Sequence, residues 1–262
     1  MAHDIISYAL IFIASFGAGM VNSVAGGGTL ITFPTLVWLG RDPILANATN
    51  AVALWPGSLA GMLGYRREMA GLRHWMALLV LPSMLGGTLG ALLLLRTPTK
   101  TFSFLVPYLI LFATVLMALQ EPISRGLRAV QTRMGMGDHP GWNRWGWAAA
   151  AGFQFLVALY GGYFGAGMGI LMLAAMGLLG LKDIHQMNGL KNLLGFLINA
   201  MASVYFVWMG AVIWLDAGIM AAGAIAGGYG GAHLALRLGR TVIRRVVIFI
   251  GAAMTLALFL RG

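Results

Sequence analysis

Residues 161–199 read GGYFGAGMGILMLAAMGLLGLKDIHQMNGLKNLLGFLIN, an apolar stretch punctuated by glycine. Lys182 marks the polar edge between two apolar runs, but Lys191 lies inside one, in Asn188-Gly-Leu-Lys191-Asn192-Leu-Leu-Gly195. The other 16 of the 17 basic residues fall in short polar segments or at their edges. A charge at the centre of a spanning helix costs about 2.5 to 3.5 kcal/mol on insertion scales, so such a group faces a polar cavity and a partner. No Asp or Glu sits in the middle of an apolar run to be that partner. Lys191 therefore reads as the fixed cation of an anion-binding site within the bilayer. The competing reading is a lysine that snorkels to the surface or is satisfied by carbonyls.

Composition supports the bilayer. Of 262 residues, 60% are hydrophobic and 9% charged, and the mean hydropathy is +0.85. Soluble domains carry about 25% charged residues, which excludes a soluble globule. Most of the 38 glycines fall within apolar runs, where small residues let helices pack closely. The net charge of +10 is spread through loops beside spans, a pattern of membrane orientation and not of nucleic-acid binding. With no cysteine there is no disulfide framework and no thiolate metal site. The first residues, Met1-Ala-His3-Asp4, lack the basic region of a cleavable signal, so the first apolar run is expected to remain as a helix.

Apolar runs occur at about 5–23, 29–39, 44–64, 74–95 and 102–119, then at about 145–164, 168–180, 184–209, 214–236 and 246–260. The short runs, 29–39 and 168–180, follow Ala25-Gly-Gly-Gly28 and Gly165-Ala-Gly-Met-Gly169, which break a helix. A constant offset of 141 residues aligns Ala25, Gly26, Gly28 and Leu30 with Ala166, Gly167, Gly169 and Leu171. The same offset takes Asn47 to Asn188, and Gly86, Gly87, Gly90 and Ala91 to Gly227, Gly228, Gly231 and Ala232. One offset held from 25 to 237 points to a duplicated unit.

Loop charge orients the two copies. If each broken segment enters and returns to its starting side, one side holds Arg66, Arg67, Arg73, Arg125, Arg128, Arg133, Arg144, Lys182, Arg237, Arg240, Arg244 and Arg245, and the other only Arg41, Arg96, Lys100 and Arg261. If each broken segment crossed once, the division would be even and carry no orientation. The positive-inside rule selects the returning arrangement, with both termini outside the cytoplasm. The expected fold is an all-α polytopic membrane bundle of two inverted repeats, about four spans each, whose first segments are broken or re-entrant. The repeats occupy 1–119 and 145–262. The linker, 120–144, contains Ile123, Leu127, Val130 and Met134 at helical spacing, read either as an interfacial helix or as a solvated connection.

In inverted-repeat carriers the substrate binds at the midplane between the halves, facing broken helix ends. Candidate substrate ligands are therefore the first break (Asn22, Gly26, Gly27, Gly28, Thr29) and the second (Gly167, Gly169), whose helix N-termini attract an oxyanion. Asn47 and Asn50 follow at i, i+3, and Asn188, Lys191 and Asn192 at i, i+3, i+4, so each set shares a helix face. Carboxamides and an ammonium can replace hydration around sulfite, sulfonate or carboxylate oxygens. Asn residues can instead tie helices together.

Other signals are weaker. Met168, Met172 and Met176 form a stripe that suits helix packing better than a copper path. His233 has no evident second metal ligand, and Asp183 and Asp216 stand at span ends. No Walker-type loop occurs, nor a catalytic triad or metal-ligand set within the spans, so neither an ATP-driven protein nor an enzyme is expected, and no cofactor or metal.

The segments Gly19-Met-Val-Asn22-Ser-Val-Ala-Gly26-Gly27-Gly28-Thr29-Leu, Ala46-Asn47-Ala-Thr49-Asn50, Gly165-Ala-Gly-Met-Gly169 and Gln186-Met-Asn188-Gly-Leu-Lys191-Asn192 resemble the TauE/SafE sulfite exporter family, also called the toluene sulfonate uptake permeases. The resemblance covers nearly the whole chain. It implies a secondary transporter of sulfite, organosulfonates or related small organic anions in a bacterial cytoplasmic membrane. The second copy reads Asn-Gly-Leu-Lys-Asn where the family often repeats Thr-[Ser/Asn], which leaves the anion open, and the family includes importers as well as exporters. The expected partners are a small anionic substrate and the lipid bilayer, with proton or sodium coupling and a homo-oligomer left open. An anion channel and a membrane metal-delivery or assembly factor are the alternatives.

Overall fold

A computed structural model describes residues 2–24, 27–64, 69, 71–134, 144–178, 181, 183–230 and 240–261. Ten helices are described: α1 (Ala2–Val24), α2 (Thr29–Trp38), α3 (Pro43–Gly64), α4 (Arg73–Arg96), α5 (Thr99–Met134), α6 (Arg144–Tyr163), α7 (Met168–Leu178), α8 (Ile184–Trp208), α9 (Trp214–Gly230) and α10 (Arg240–Arg261). The fold is all-α. Among the described residues, five segments are long and apolar enough to cross a membrane: Ile5–Asn22, Arg73–Arg96, Thr99–Ile123, His185–Trp208 and Thr241–Leu260. Large apolar side chains stand on the outside, Phe104, Leu156, Phe249 and Leu260 among them, as a surface facing hydrocarbon requires.

The short helices fall where the glycine clusters end. At 10 and 11 residues, α2 and α7 rise about 15 Å, half the hydrocarbon core. The helix starts keep the internal offset: α8, α9 and α10 begin 141 residues after α3, α4 and α5. So do the local bonds that begin α3 and α8. Asp42 Oδ1 accepts the Ile44 and Leu45 N–H groups at 2.9 and 3.1 Å, and Asp183 Oδ1 accepts those of His185 and Gln186 at 2.7 and 3.4 Å. Both aspartates thus satisfy helix N-termini.

Packing directions can be read from successive contacts. Helices α4 and α6 run parallel: Trp75 meets Trp147, the buried Gln154 amide donates to Ser83 Oγ at 2.9 Å, and a Cβ on Gly90 would strike the Leu159 carbonyl oxygen. Helices α1 and α9 also run parallel, with Gly223 against the Phe12 carbonyl and Gly227 against that of Phe16. Backbones this close leave no room for a side chain, which is why the glycines of these runs are where they are. By contrast, α3 and α8 are antiparallel, since Trp55 reaches Phe196 within α8 while the earlier Thr49 reaches Ile213, beyond the C-terminal end of α8. Antiparallel too are α5 and α10, through Tyr108 with Phe259, Thr114 with Gly251 and Glu121 with Arg244 at 2.6 Å.

One expectation of the linker changes form. The helical spacing over 123–134 is helical, but as a direct continuation of α5, which runs 36 residues and contains Pro107 and Pro122. Gln120 and Glu121 favour helix, and the helix continues through Pro122.

Candidate functional site

The first break is held by its own side chains. Gly27 adopts φ 93°, a region that only glycine enters without cost. The Gly28 N–H then donates to Asn22 Oδ1 at 2.8 Å, so Asn22, at the end of α1, takes up an otherwise unpaired amide at the start of α2. One turn on, Thr32 Oγ1 donates to Asn50 Oδ1 and approaches the Gly28 carbonyl at 3.2 Å. Asn50 Nδ2 donates to Thr29 Oγ1 at 3.4 Å. Thr32 and Asn50 are buried, so Asn22, Gly28, Thr29, Thr32 and Asn50 form one neutral network at this helix end. Gly26 lies outside the described residues.

The second break is built on two left-handed glycines, Gly165 at φ 80° and Gly167 at φ 79°. The Tyr160 hydroxyl donates to the Ala166 carbonyl at 2.6 Å across the turn. Helix α7 then starts, and in its first turn Gly169 lies under the stem of Lys191: a Cβ there would sit 3.3 Å from Lys191 Cδ. Lys191 Nζ donates to Asn188 Oδ1 at 3.2 Å. Asn188, Lys191 and Asn192 are half-buried, whereas Asn47 and Asn50 are buried. Positions 50 and 191 are thus matched by the offset, and each stands against the first turn of its own half's short helix.

Asn47 crosses between halves. Its Nδ2 donates to the Tyr163 carbonyl, the last residue of α6, at 2.9 Å. Two residues on, the buried Thr49 hydroxyl accepts the Ile213 N–H at 3.0 Å, just ahead of α9. Close by, Arg41 pairs with Asp216 at 2.7 Å through Nε, with a second bond at 3.2 Å, and the Asp216 side chain is 1% exposed. Along the seam between α3 and α8, Trp55 stacks on Phe196 with ring centroids 5.7 Å apart and planes at 19°.

Thr32, Thr49, Trp55 and the Tyr163 carbonyl were not singled out by the sequence reading. Thr49 lies within the Ala46–Asn50 segment already marked but is matched by Leu190 under the offset, which gives no signal for it, whereas the offset pairs Trp55 with Phe196, so extending that comparison would have found the tryptophan. Met172 and Met176 pack in a buried cluster with Trp75 and Leu79, the packing role expected of that stripe. Among the described residues no group of three or more His, Cys, Asp and Glu could hold a metal ion. His233 lies outside them.

A bundle of apolar helices with two of them broken at glycine, and polar side chains gathered at both breaks, is a multi-pass membrane protein organised around interior polar sites. The sequence profile of the sulfite exporter TauE/SafE family matches residues 11–258. This chain belongs to that family, and so to the membrane transporters. Similar relatives include a probable membrane transporter protein of Haemophilus influenzae, 31% identical over 254 residues, 94% of this chain and 92% of that one. Another is the probable membrane transporter protein ORF9 of Sinorhizobium sp, 27% identical over 95% of this chain and 91% of its own. A third is YfcA of Escherichia coli K12, named a probable membrane transporter protein, at 27% identity over 94% and 87%. No solved structure matches the chain at a significant level.

Proposed function

We propose that the chain is a secondary-active carrier of small anions, sulfite or organosulfonates foremost, that works by alternating access around a site centred on Lys191. The observation that carries this reading is the Lys191 side chain, laid over Gly169 at the start of a broken helix with its ammonium on Asn188. There the ammonium, the Asn188 carboxamide it bonds and the positive end of α7 come together, the combination an oxyanion needs when it leaves water.

Two inverted repeats fit the packing. Helices matched by the offset, α3 with α8 and α5 with α10, are antiparallel neighbours, as a twofold axis in the membrane plane demands. The same axis exchanges the α4–α6 pair with the α9–α1 pair, and both are parallel and glycine-packed. Following these directions, α1 starts and α2 ends on one side, while α6 starts and α7 ends on the other, which is the returning arrangement selected by loop charge. Both termini then lie outside the cytoplasm of a bacterial cell, with 120–144 on the cytoplasmic side.

In proteoliposomes, sulfite flux should saturate in the native chain and fall to background in Lys191→Ala, with protein of normal yield in the membrane. Undiminished flux in that variant would overturn the assignment. Flux at varied pH and sodium identifies the coupling ion.

A further inference from the structure

Resting on that reading, we infer that Trp55 is a further substrate-binding residue, whose indole N–H donates to the transported anion from the half opposite Lys191. An alternating-access carrier requires its ligand to touch both halves, because a ligand shifts an equilibrium only by its differential contacts with the two states. The sequence offered Asn47 and Asn50 as the first half's contribution. Both amide nitrogens are bonded within the protein, Asn47 to the Tyr163 carbonyl and Asn50 to Thr29. Trp55 differs: its Nε1 is buried and has no hydrogen-bond partner among the described residues. An orphaned donor in a low-dielectric seam is costly, and a ligand oxygen would remove that cost.

The position fits the task. Trp55 stacks on Phe196, its match under the 141-residue offset, so the pair sits where the two halves face each other. On α8, Asn188, Asn192 and Phe196 recur at intervals of four and share one face. The face that meets Trp55 is therefore the face that carries the carboxamides beside Lys191. Phe196 holds the indole plane, and the N–H is left for an oxygen that the protein does not supply.

Trp55→Phe separates this role from packing, because it keeps an aromatic ring on Phe196 and deletes only the donor and some ring area. Sulfite binding to the purified full chain should weaken roughly ten- to 150-fold, the range for a hydrogen bond to a charged group. Without sulfite, the variant should melt at the same temperature as the native chain or higher, since the orphan is gone. A merely structural tryptophan would give the reverse: lower melting temperature and unchanged sulfite affinity, a result that overturns the proposal. Lys191→Met measured alongside distinguishes the two levels. If it loses binding while Trp55→Phe does not, only the tryptophan assignment falls. If Lys191→Met binds normally, or the native chain does not bind sulfite, the anion-site reading falls and takes the Trp55 proposal with it.

Discussion

The two breaks lie at places matched by the 141-residue offset, yet one is closed by neutral side chains and the other carries a charge. At the start of α2, Asn50 is buried and bonded to Thr29 and Thr32, and Asn22 caps Gly28. At the start of α7 the matched position is Lys191, half-buried, with its stem against Gly169. A carboxamide can satisfy both its donor and its acceptor with two threonines, whereas an ammonium has donors only and keeps a net charge that neighbouring neutral groups solvate but do not cancel. The difference teaches that two helix ends begun by similar glycine clusters can be finished differently, one by a neutral network and one beside a cation.

The largest effect expected from erasing this difference is on transport. Lys191→Asn gives the second break the residue of the first, and sulfite flux should fall roughly 100-fold, the equivalent of losing about 2.7 kcal/mol of charged hydrogen bonding. Adding Asn50→Lys should not restore it, because Thr29 and Thr32 are placed to bond an amide. Restoration by the exchange would make the breaks equivalent and remove the contrast.

A second asymmetry lies at the corner after α2, where Arg41 pairs with the buried Asp216; the offset puts Trp75, also buried, in the place of Asp216. Arg41→Ala should lower unfolding stability by about 3 kcal/mol, since it leaves a carboxylate buried without its cation. Thermal unfolding of the detergent-solubilised chain checks this, and Asp216→Asn with Arg41→Gln together should recover part of the loss.

Smaller effects separate backbone from side chain within the second break. Gly167→Ala must hold a left-handed residue and should cost about 1 to 2 kcal/mol of stability. Gly169→Ala is helical and unstrained, but its Cβ would press on Lys191 Cδ. It should leave the melting temperature within a degree or two and still reduce flux several-fold. Equal behaviour of the two variants would deny Lys191 its place over Gly169.

The helices and their breaks were legible because hydropathy and glycine placement are local properties of the chain, and the offset even locates three helix starts. The run of α5 beyond residue 119 was less so, since the polar residues from Gln120 onward end the apolar run without ending the helix. Partners were hardest to read. Asn47 bonds a backbone carbonyl 116 residues away and Arg41 bonds Asp216 175 residues away, and a carbonyl leaves no mark in a sequence. The pattern marked Asn47, Asn50 and Asn188 as alike, and only their surroundings distinguish the amides tied between helices from the one that receives Lys191.

The chain contains no cysteine, so the charge at position 191 can be removed and returned chemically. Lys191→Cys in proteoliposomes should be inactive, and alkylation with 2-bromoethylamine, which rebuilds an ammonium at the length of lysine through a thioether that sulfite does not cleave, should restore sulfite flux, while alkylation with 2-bromoethanesulfonate should not. Full flux before modification, or no recovery after confirmed labelling, would contradict the claim that a fixed positive charge at this helix end holds the transported anion.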